Sequence, residues 1–246
     1  MTLALLSDIH ANLQALEACL RHARERGATR YAFLGDLVGY GADASAVVRM
    51  VMDYAARGAL VVKGNHDDAV ERNAGYMNEA AREAIEWARQ ALAKEEKAFL
   101  AGLPLCARSG NACFVHASAS EPARWVYIDG QGAALRSMEA AKAPYTFSGH
   151  VHEQRLYARV AAARATSFTP HPGTAIPLGT HRAWLALVGS VGQPRDGSTA
   201  AAYALFDESA ARLTYFRIPY DYAQAARAIR RAGLAESLAF RVERGI

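Results

Sequence analysis

Five apolar runs in this 246-residue chain end in the same kind of residue, and no other feature limits the possible folds so tightly. LALLS leads into Asp8 and His10, YAFLG into Asp36, LVVKG into Asn65 and His66, CFV into His116, and YTFSG into His150 and His152. Each of these polar side chains can ligate a hard or borderline divalent metal. Each run has strand length, so each candidate ligand falls at the C-terminal end of a strand, where open α/β sheets bind their ligands. The pairs Asp8/His10 and His150/His152 are spaced i, i+2, so in an extended segment each pair points to one side. Gly35, Gly64 and Gly149 stand directly before candidate ligands and allow tight turns and close approach there.

Hydrophobic spacing supplies the frame. Residues 3–6, 30–34 and 59–62 read as strands, and 12–26 and 43–57 carry apolar residues at helical spacing. That alternation predicts a parallel sheet covered by helices. The Ala- and Glu-rich stretch at 67–104 predicts two helices inserted between strands. A hairpin at 105–115, a helix at 131–141, a strand at 145–148, further strands within 154–218 and a helix at 221–232 follow. With no repeat or linker, residues 1–246 read as one domain, with a helical insertion at about 67–104 and a C-terminal helical segment at about 221–246.

Composition narrows the function. A formal net charge of +4 without a basic run argues against nucleic acid as the partner. Three cysteines with no CxxC pair argue against a disulfide framework or a zinc knuckle and suit a reducing compartment. No apolar run is long enough to span a membrane, and the first ten residues read as a strand rather than a targeting signal, so a cytoplasmic protein is expected. No P-loop and no G-x-S-x-G elbow occurs. His22, His171 and His181 fall outside the strand-end pattern and read as surface or structural residues.

Taken in order, D-x-H (Asp8, His10), G-D (Gly35, Asp36), G-N-H-D (Gly64 to Asp67), H-A (His116, Ala117) and G-H-x-H (Gly149 to His152) resemble the calcineurin-like metallophosphoesterase superfamily. The segment SVGQPRDG at 190–197 resembles its small bacterial branch, related to diadenosine tetraphosphatases and phosphodiesterases. The resemblance implies an α/β fold, a four-layer α/β/β/α sandwich with two mixed β-sheets. It implies two divalent metals, Mn or Fe first and Zn or Ni as alternatives. Asp36 would bridge them, with Asp8, His10 and His152 on the first and Asn65, His116 and His150 on the second. Two carboxylates and neutral imidazoles leave such a centre positive, able to hold a phosphate and to activate a bridging water for in-line attack. His66 would protonate or stabilise the leaving oxygen, and Asp67 would orient it or else cap the following helix.

The implied substrate is a phosphorylated small molecule, a phosphomonoester or phosphodiester, with nucleotides and dinucleoside polyphosphates as candidates. Arg195 is a candidate clamp for a second phosphate, and Asp196 a competing partner for it. Arg124, Trp125 and Tyr127 are candidate contacts for a base or another aromatic leaving group. Ala117, Val151 and Leu187-Val188-Gly189 depart from the commonest forms of the motifs, at positions that carry no proposed ligand. The competing readings are a catalytically silent metal-binding scaffold on the same fold and a nuclease.

Overall fold

A computed structural model describes residues 1–72 and 77–246. The chain opens with β1 (Thr2–Leu6), α1 (Leu13–Glu25), β2 (Arg30–Phe33), α2 (Ala44–Ala56) and β3 (Leu60–Val61). Three helices follow, α3 (Asn65–Ala69), α4 (Glu79–Ala91) and α5 (Lys94–Gly102), then β4 (Cys106–Ser109), β5 (Ala112–Val115), α6 (Gln131–Ala141) and β6 (Tyr145–Ser148). The rest comprises β7 (Gln154–Ala161), β8 (Arg164–Phe168), β9 (Ala175–Pro177), β10 (Trp184–Val188), β11 (Ala201–Asp207), β12 (Arg212–Ile218), α7 (Tyr222–Arg231) and α8 (Glu236–Arg244).

The strands form two six-stranded mixed sheets, ordered β3-β2-β1-β11-β12-β9 and β4-β5-β6-β10-β7-β8. β1, β2 and β3 run parallel in the first, and β5, β6 and β10 run parallel in the second. The alternation of side chains along β1 shows why two sheets pack together. Leu3 and Leu5 join Phe114, Phe147 and Tyr215 in the core between the sheets, whereas Ala4 and Leu6 face Leu16, Leu20 and Val47 of the helices outside. A strand buried on both faces is apolar at every position, which is why LALL carries no polar alternation. On the other side α6 packs Ala134 and Met138 against Leu185 and Leu187 of β10. The result is the expected four-layer α/β/β/α arrangement.

Several elements differ from the sequence reading. The predicted two-helix insertion contains an additional short helix, α3, because the Asp67 carboxylate accepts a 2.9 Å bond from the Gly64 amide and closes its first turn. Residues 73–76 of that insertion lie outside the described residues. β8 exposes Arg164, Thr166 and Phe168 and buries only Ala165, so it leaves no apolar run in the sequence. β9 is a three-residue strand at the edge of its sheet.

Candidate metal centre

The C-terminal ends of the parallel strands bring the site together. Asp8 follows β1, Asp36 follows β2, Asn65 opens α3 after β3, His116 directly follows β5, and His150 and His152 follow β6. One ligand atom from each of Asp8, His10, Asp36 and His152 forms a buried cluster whose members lie within 4.8 Å of one another. Asp36, His116 and His150 form a second such cluster. Asn65 Oδ1 lies 3.1 Å from His116 Nε2, which brings the seventh candidate into the second group. Asp36 belongs to both clusters.

The backbone at these residues is unusual. Asp8, His10, Asp36, His150 and His152 all have φ between 49° and 68°, the left-handed region that side chains rarely adopt. Such conformations cost of order 1–3 kcal/mol each and gather where function requires them. The finding corrects the extended-segment reading of the two i, i+2 pairs. Asp8/His10 and His150/His152 converge because left-handed residues curl each loop around the site, not because the strand continues. Asn65 and His66 lie on a helix rather than on an extended segment. The loops are fastened by His10 N–H donating to Asp36 O (2.9 Å), His66 N–H to Asp36 Oδ1 (2.8 Å) and His150 N–H to both Asp8 oxygens (3.1 and 3.0 Å).

The histidines report what the site is built to hold. Nδ1 of His10, His116 and His152 faces the carbonyls of Val38 (3.2 Å), Leu34 (2.8 Å) and Gln193 (2.6 Å). A carbonyl only accepts, so each Nδ1 carries a hydrogen, and Nε2 of each ring is the atom left to ligate a metal. Nε2 of His10 and of His152 then face each other at 3.1 Å, and His116 Nε2 faces His150 Nδ1 at 3.1 Å. The Nε2 lone pairs of His10 and His152, opposed in this way, call for a cation between them. Asp36 Oδ2 stands 3.4 Å from His116 Nε2 and 3.7 Å from His10 Nε2, between the two groups, while His152 Nε2 is 3.2 Å from Asp8 Oδ1.

Electrostatics agree. Burial opposes ionisation of Asp8 and Asp36, yet the facing imidazoles hold both carboxyls below their usual range. Burial also disfavours charge on His66 and His150, lowering them to about 4 and about 3. At His116 the same burial is outweighed by Asp36 and Asp8, which raise it to about 9. Buried carboxylates surrounded by mainly neutral imidazoles form a donor set that fits divalent metal ions.

Gly149 has no room for a side chain, since an added Cβ would strike Ser7 Oγ and Asp8 Oδ2. Gly149→Ala should therefore displace Asp8 and lower the metal bound per chain, measured by elemental analysis against the unsubstituted protein. Unchanged metal content would contradict a coupling of Gly149 to metal binding through Asp8.

Above the centre lies a cavity of about 610 Å³, lined by Asp36, Asn65, His66, His150 and His152 on its floor. Its walls include Tyr40, Met77, Arg124, Trp125, Tyr127 and Arg195. Trp125 lies edge-on to His116 at 6.0 Å, and Tyr127 stacks on His150 at 4.1 Å. Arg124 is paired with Glu121 at 3.0 Å and stays exposed. The competing partner expected for Arg195 is taken elsewhere, because Asp196 pairs with Arg217. The Arg195 guanidinium instead lies 5.7 Å above the Tyr40 ring and donates to Gln193 Oε1 (3.0 Å).

Asp67 corrects the sequence reading in which it orients His66. Its oxygens accept from the Leu37 amide (2.8 Å) and the Gly64 amide (2.9 Å), so its carboxylate is spent on capping and on joining two loops. The His66 ring is held instead between Tyr40 (4.5 Å) and His10 (4.8 Å) and against Gly39, where an added Cβ would collide with His66 Nδ1. Tyr40 and Gln193 went unnoticed in the sequence, although the Gly39-Tyr40-Gly41 run just after Asp36 signals close packing. His171 is exposed and lies outside the cavity lining, bonding the carbonyl of its neighbour Pro172. Ala117 has no positive φ, so alanine is accommodated there without strain.

The model of the calcineurin-like phosphoesterase superfamily domain matches residues 1–211. The chain is 34% identical to a metallophosphoesterase from Sphaerobacter thermophilus of solved structure, with a TM-score of 0.90 and 100% of both chains covered. It is 32% identical to an uncharacterized protein of Methanocaldococcus jannaschii, over 98% of this chain and 96% of that one. A solved structure assigned as a diadenosine tetraphosphatase shares the fold at 15% identity, with a TM-score of 0.50, covering 87% of this chain and 93% of that one.

Proposed function

The chain belongs to the calcineurin-like phosphoesterase superfamily, hydrolases acting on phosphate esters, and from that premise we propose a dinuclear phosphohydrolase that cleaves a phosphomonoester or phosphodiester. The observation that carries this reading is the position of Asp36, shared between two buried clusters of ligand atoms, in one of which the Nε2 atoms of His10 and His152 face each other. Asp8, His10, Asp36 and His152 would hold one divalent ion, and Asp36, Asn65, His116 and His150 the other. Mn or Fe is the first choice, with Zn or Ni as alternatives. Bound there, two such ions would neutralise phosphate charge and lower the pKa of a water for in-line attack.

The protein's own groups do the rest. The His66 ring stands on the cavity floor, its Nε2 4.0 Å from Asp36 Oδ2. Burial lowers its pKa to about 4, so the ring would offer a neutral N–H to the leaving oxygen. An anionic phosphate beside it would draw its pKa upward and favour proton transfer. Trp125, Tyr127 and Met77 offer apolar wall to an organic leaving group, and the cavity is far larger than a phosphate needs. These features support a nucleotide-sized substrate, with dinucleoside polyphosphates included. Three free thiols suit a cytoplasmic setting, and among the described residues no helix is long and apolar enough to cross a membrane.

Arg195 would clamp a phosphate oxygen. Arg195→Ala is expected to raise KM roughly 10-fold or more, the worth of a hydrogen bond to a charged group, while kcat changes much less. An unchanged KM would remove it from the substrate site. The test of the function is a panel of phosphomonoesters, phosphodiesters and dinucleoside polyphosphates at fixed Mn²⁺. Turnover of at least one class is expected. No turnover with Mn, Fe, Zn or Ni would favour a scaffold.

A further inference from the structure

The Ser190–Gly197 loop carries side chains that the metal centre does not account for. The loop is fastened under the first ligand loop. Val191 N–H donates to Ser7 O (2.9 Å), Gly192 N–H to Asp8 O (2.9 Å), Ser190 Oγ to Asp8 O (2.8 Å) and Asn12 Nδ2 to Gly192 O (2.9 Å). Gln193 sits at its centre and is 1% exposed. Its carbonyl accepts from His152, and its side-chain Oε1 accepts from Arg195 Nη2 at 3.0 Å. A guanidinium can only donate, so the amide must present Oε1 to Arg195 and Nε2 to the opposite side.

On that opposite side Gln193 Nε2 is buried with no hydrogen-bond partner among the described residues. Gln193 lines a small cavity behind His10 and Tyr40, which leaves about 10 Å³ for the centre of a water molecule. Gln14 lines the same cavity. Its Nε2 donates to Asp43 Oδ2 (3.2 Å), and its Oε1 is likewise buried and unpartnered. A stranded donor and a stranded acceptor thus share one cavity with room for a single water. Leaving both unpaired would cost the desolvation of each.

We infer that a buried water joins Gln193 Nε2 to Gln14 Oε1, and that Gln193 is a positioning residue that holds Arg195 toward the substrate. The inference rests on the reading of Arg195 as a phosphate clamp. The donors then run in one direction: Arg195 to Gln193, Gln193 to water, water to Gln14, and Gln14 to the Asp43 carboxylate. Both stranded amide atoms then have a partner, and the Nη2 end of the guanidinium is fixed before substrate arrives. A clamp fixed in advance loses less freedom on binding, so the effect belongs in KM.

The test uses the metal-loaded full chain and whichever of p-nitrophenyl phosphate and bis-p-nitrophenyl phosphate it turns over faster. Gln193→Leu keeps the carbonyl that holds His152, so metal content should be unchanged. KM should rise about 10-fold, with kcat within about twofold. In an Arg195→Ala background Gln193→Leu should add nothing, because it acts through Arg195. Gln14→Leu, remote from the substrate, should raise KM a few-fold and show the same non-additivity; it carries the test if Gln193→Leu fails to fold. Wild-type KM in the Gln193 and Gln14 variants, or an equal rise in the Arg195→Ala background, overturns the relay. Wild-type KM in Arg195→Ala alone overturns the clamp and the relay with it. A high-resolution crystal structure should show an ordered water bonded to both amides, and a dry cavity would contradict it.

Discussion

Asp36→Asn is expected to leave less than one full metal equivalent per chain and to lower kcat/KM roughly 10³-fold. Charge and position give the reason. Asp36 is the one residue common to the two candidate clusters, and its Oδ2 stands between His116 and His10. The asparagine keeps the shape and the bond that Oδ1 accepts from the His66 amide, so the loop should hold. The negative charge is what disappears, and both proposed ions depend on it. A bridging carboxylate supports several kcal/mol of charge stabilisation, and about 4 kcal/mol corresponds to roughly 10³ in rate. The neighbouring groups magnify the loss. With Asp36 neutral, Asp8 alone opposes the mutual repulsion of two buried cations. Elemental analysis and steady-state kinetics on one purified variant check both parts. Two retained equivalents with near-normal turnover would place the bridge elsewhere.

His66→Asn should behave in the opposite way, keeping both metals and losing roughly 10²–10⁴-fold in rate, the usual worth of one general acid. His66 lines the cavity floor, but its ring belongs to neither metal-binding cluster. Its support comes from Tyr40, His10 and the close approach of Gly39, which position the ring without supplying a base. The loss should scale with the leaving group. A p-nitrophenolate needs little protonation, so its hydrolysis should suffer less than that of an alkyl or ribose ester. An equal loss for every leaving group, or loss of a metal, would remove His66 from the acid role. Asp67→Asn offers a contrast, since its oxygens bind backbone amides. It should lower stability more than it alters the leaving-group dependence, which thermal unfolding and the same ester series can separate.

Much of the centre is legible in the sequence because strand ends are. An apolar run that stops at a ligand-type residue marks both a strand and its C-terminal edge, and parallel strands bring those edges together. The helices around them follow from apolar spacing, and the structure adds that Asn12 caps the first, its side chain accepting from the Ala15 amide. The local angles were not legible. Asp8, His10, His150 and His152 are left-handed, which no side-chain pattern announces, so the reason the pairs converge was misread although the pairs were found. Asp67 was ambiguous for a related reason, since an acid at that position suits a cap and an orienting contact alike. Tyr40 and Gln193 were invisible because their partners are remote. Tyr40 meets Arg195 and Gln193 meets His152 only after the loops of both sheets have folded together. Arg195 stood between two readings, and the pairing of Asp196 with Arg217 removes one competing partner for it.

The most direct test of the two-metal centre is to strip the protein with chelator and titrate it with Mn²⁺, following bound metal and phosphoesterase turnover together. The arrangement around Asp36 predicts two equivalents per chain, with most of the activity returning as the second ion binds. Full activity at one equivalent, or turnover that persists in the stripped protein, would contradict it.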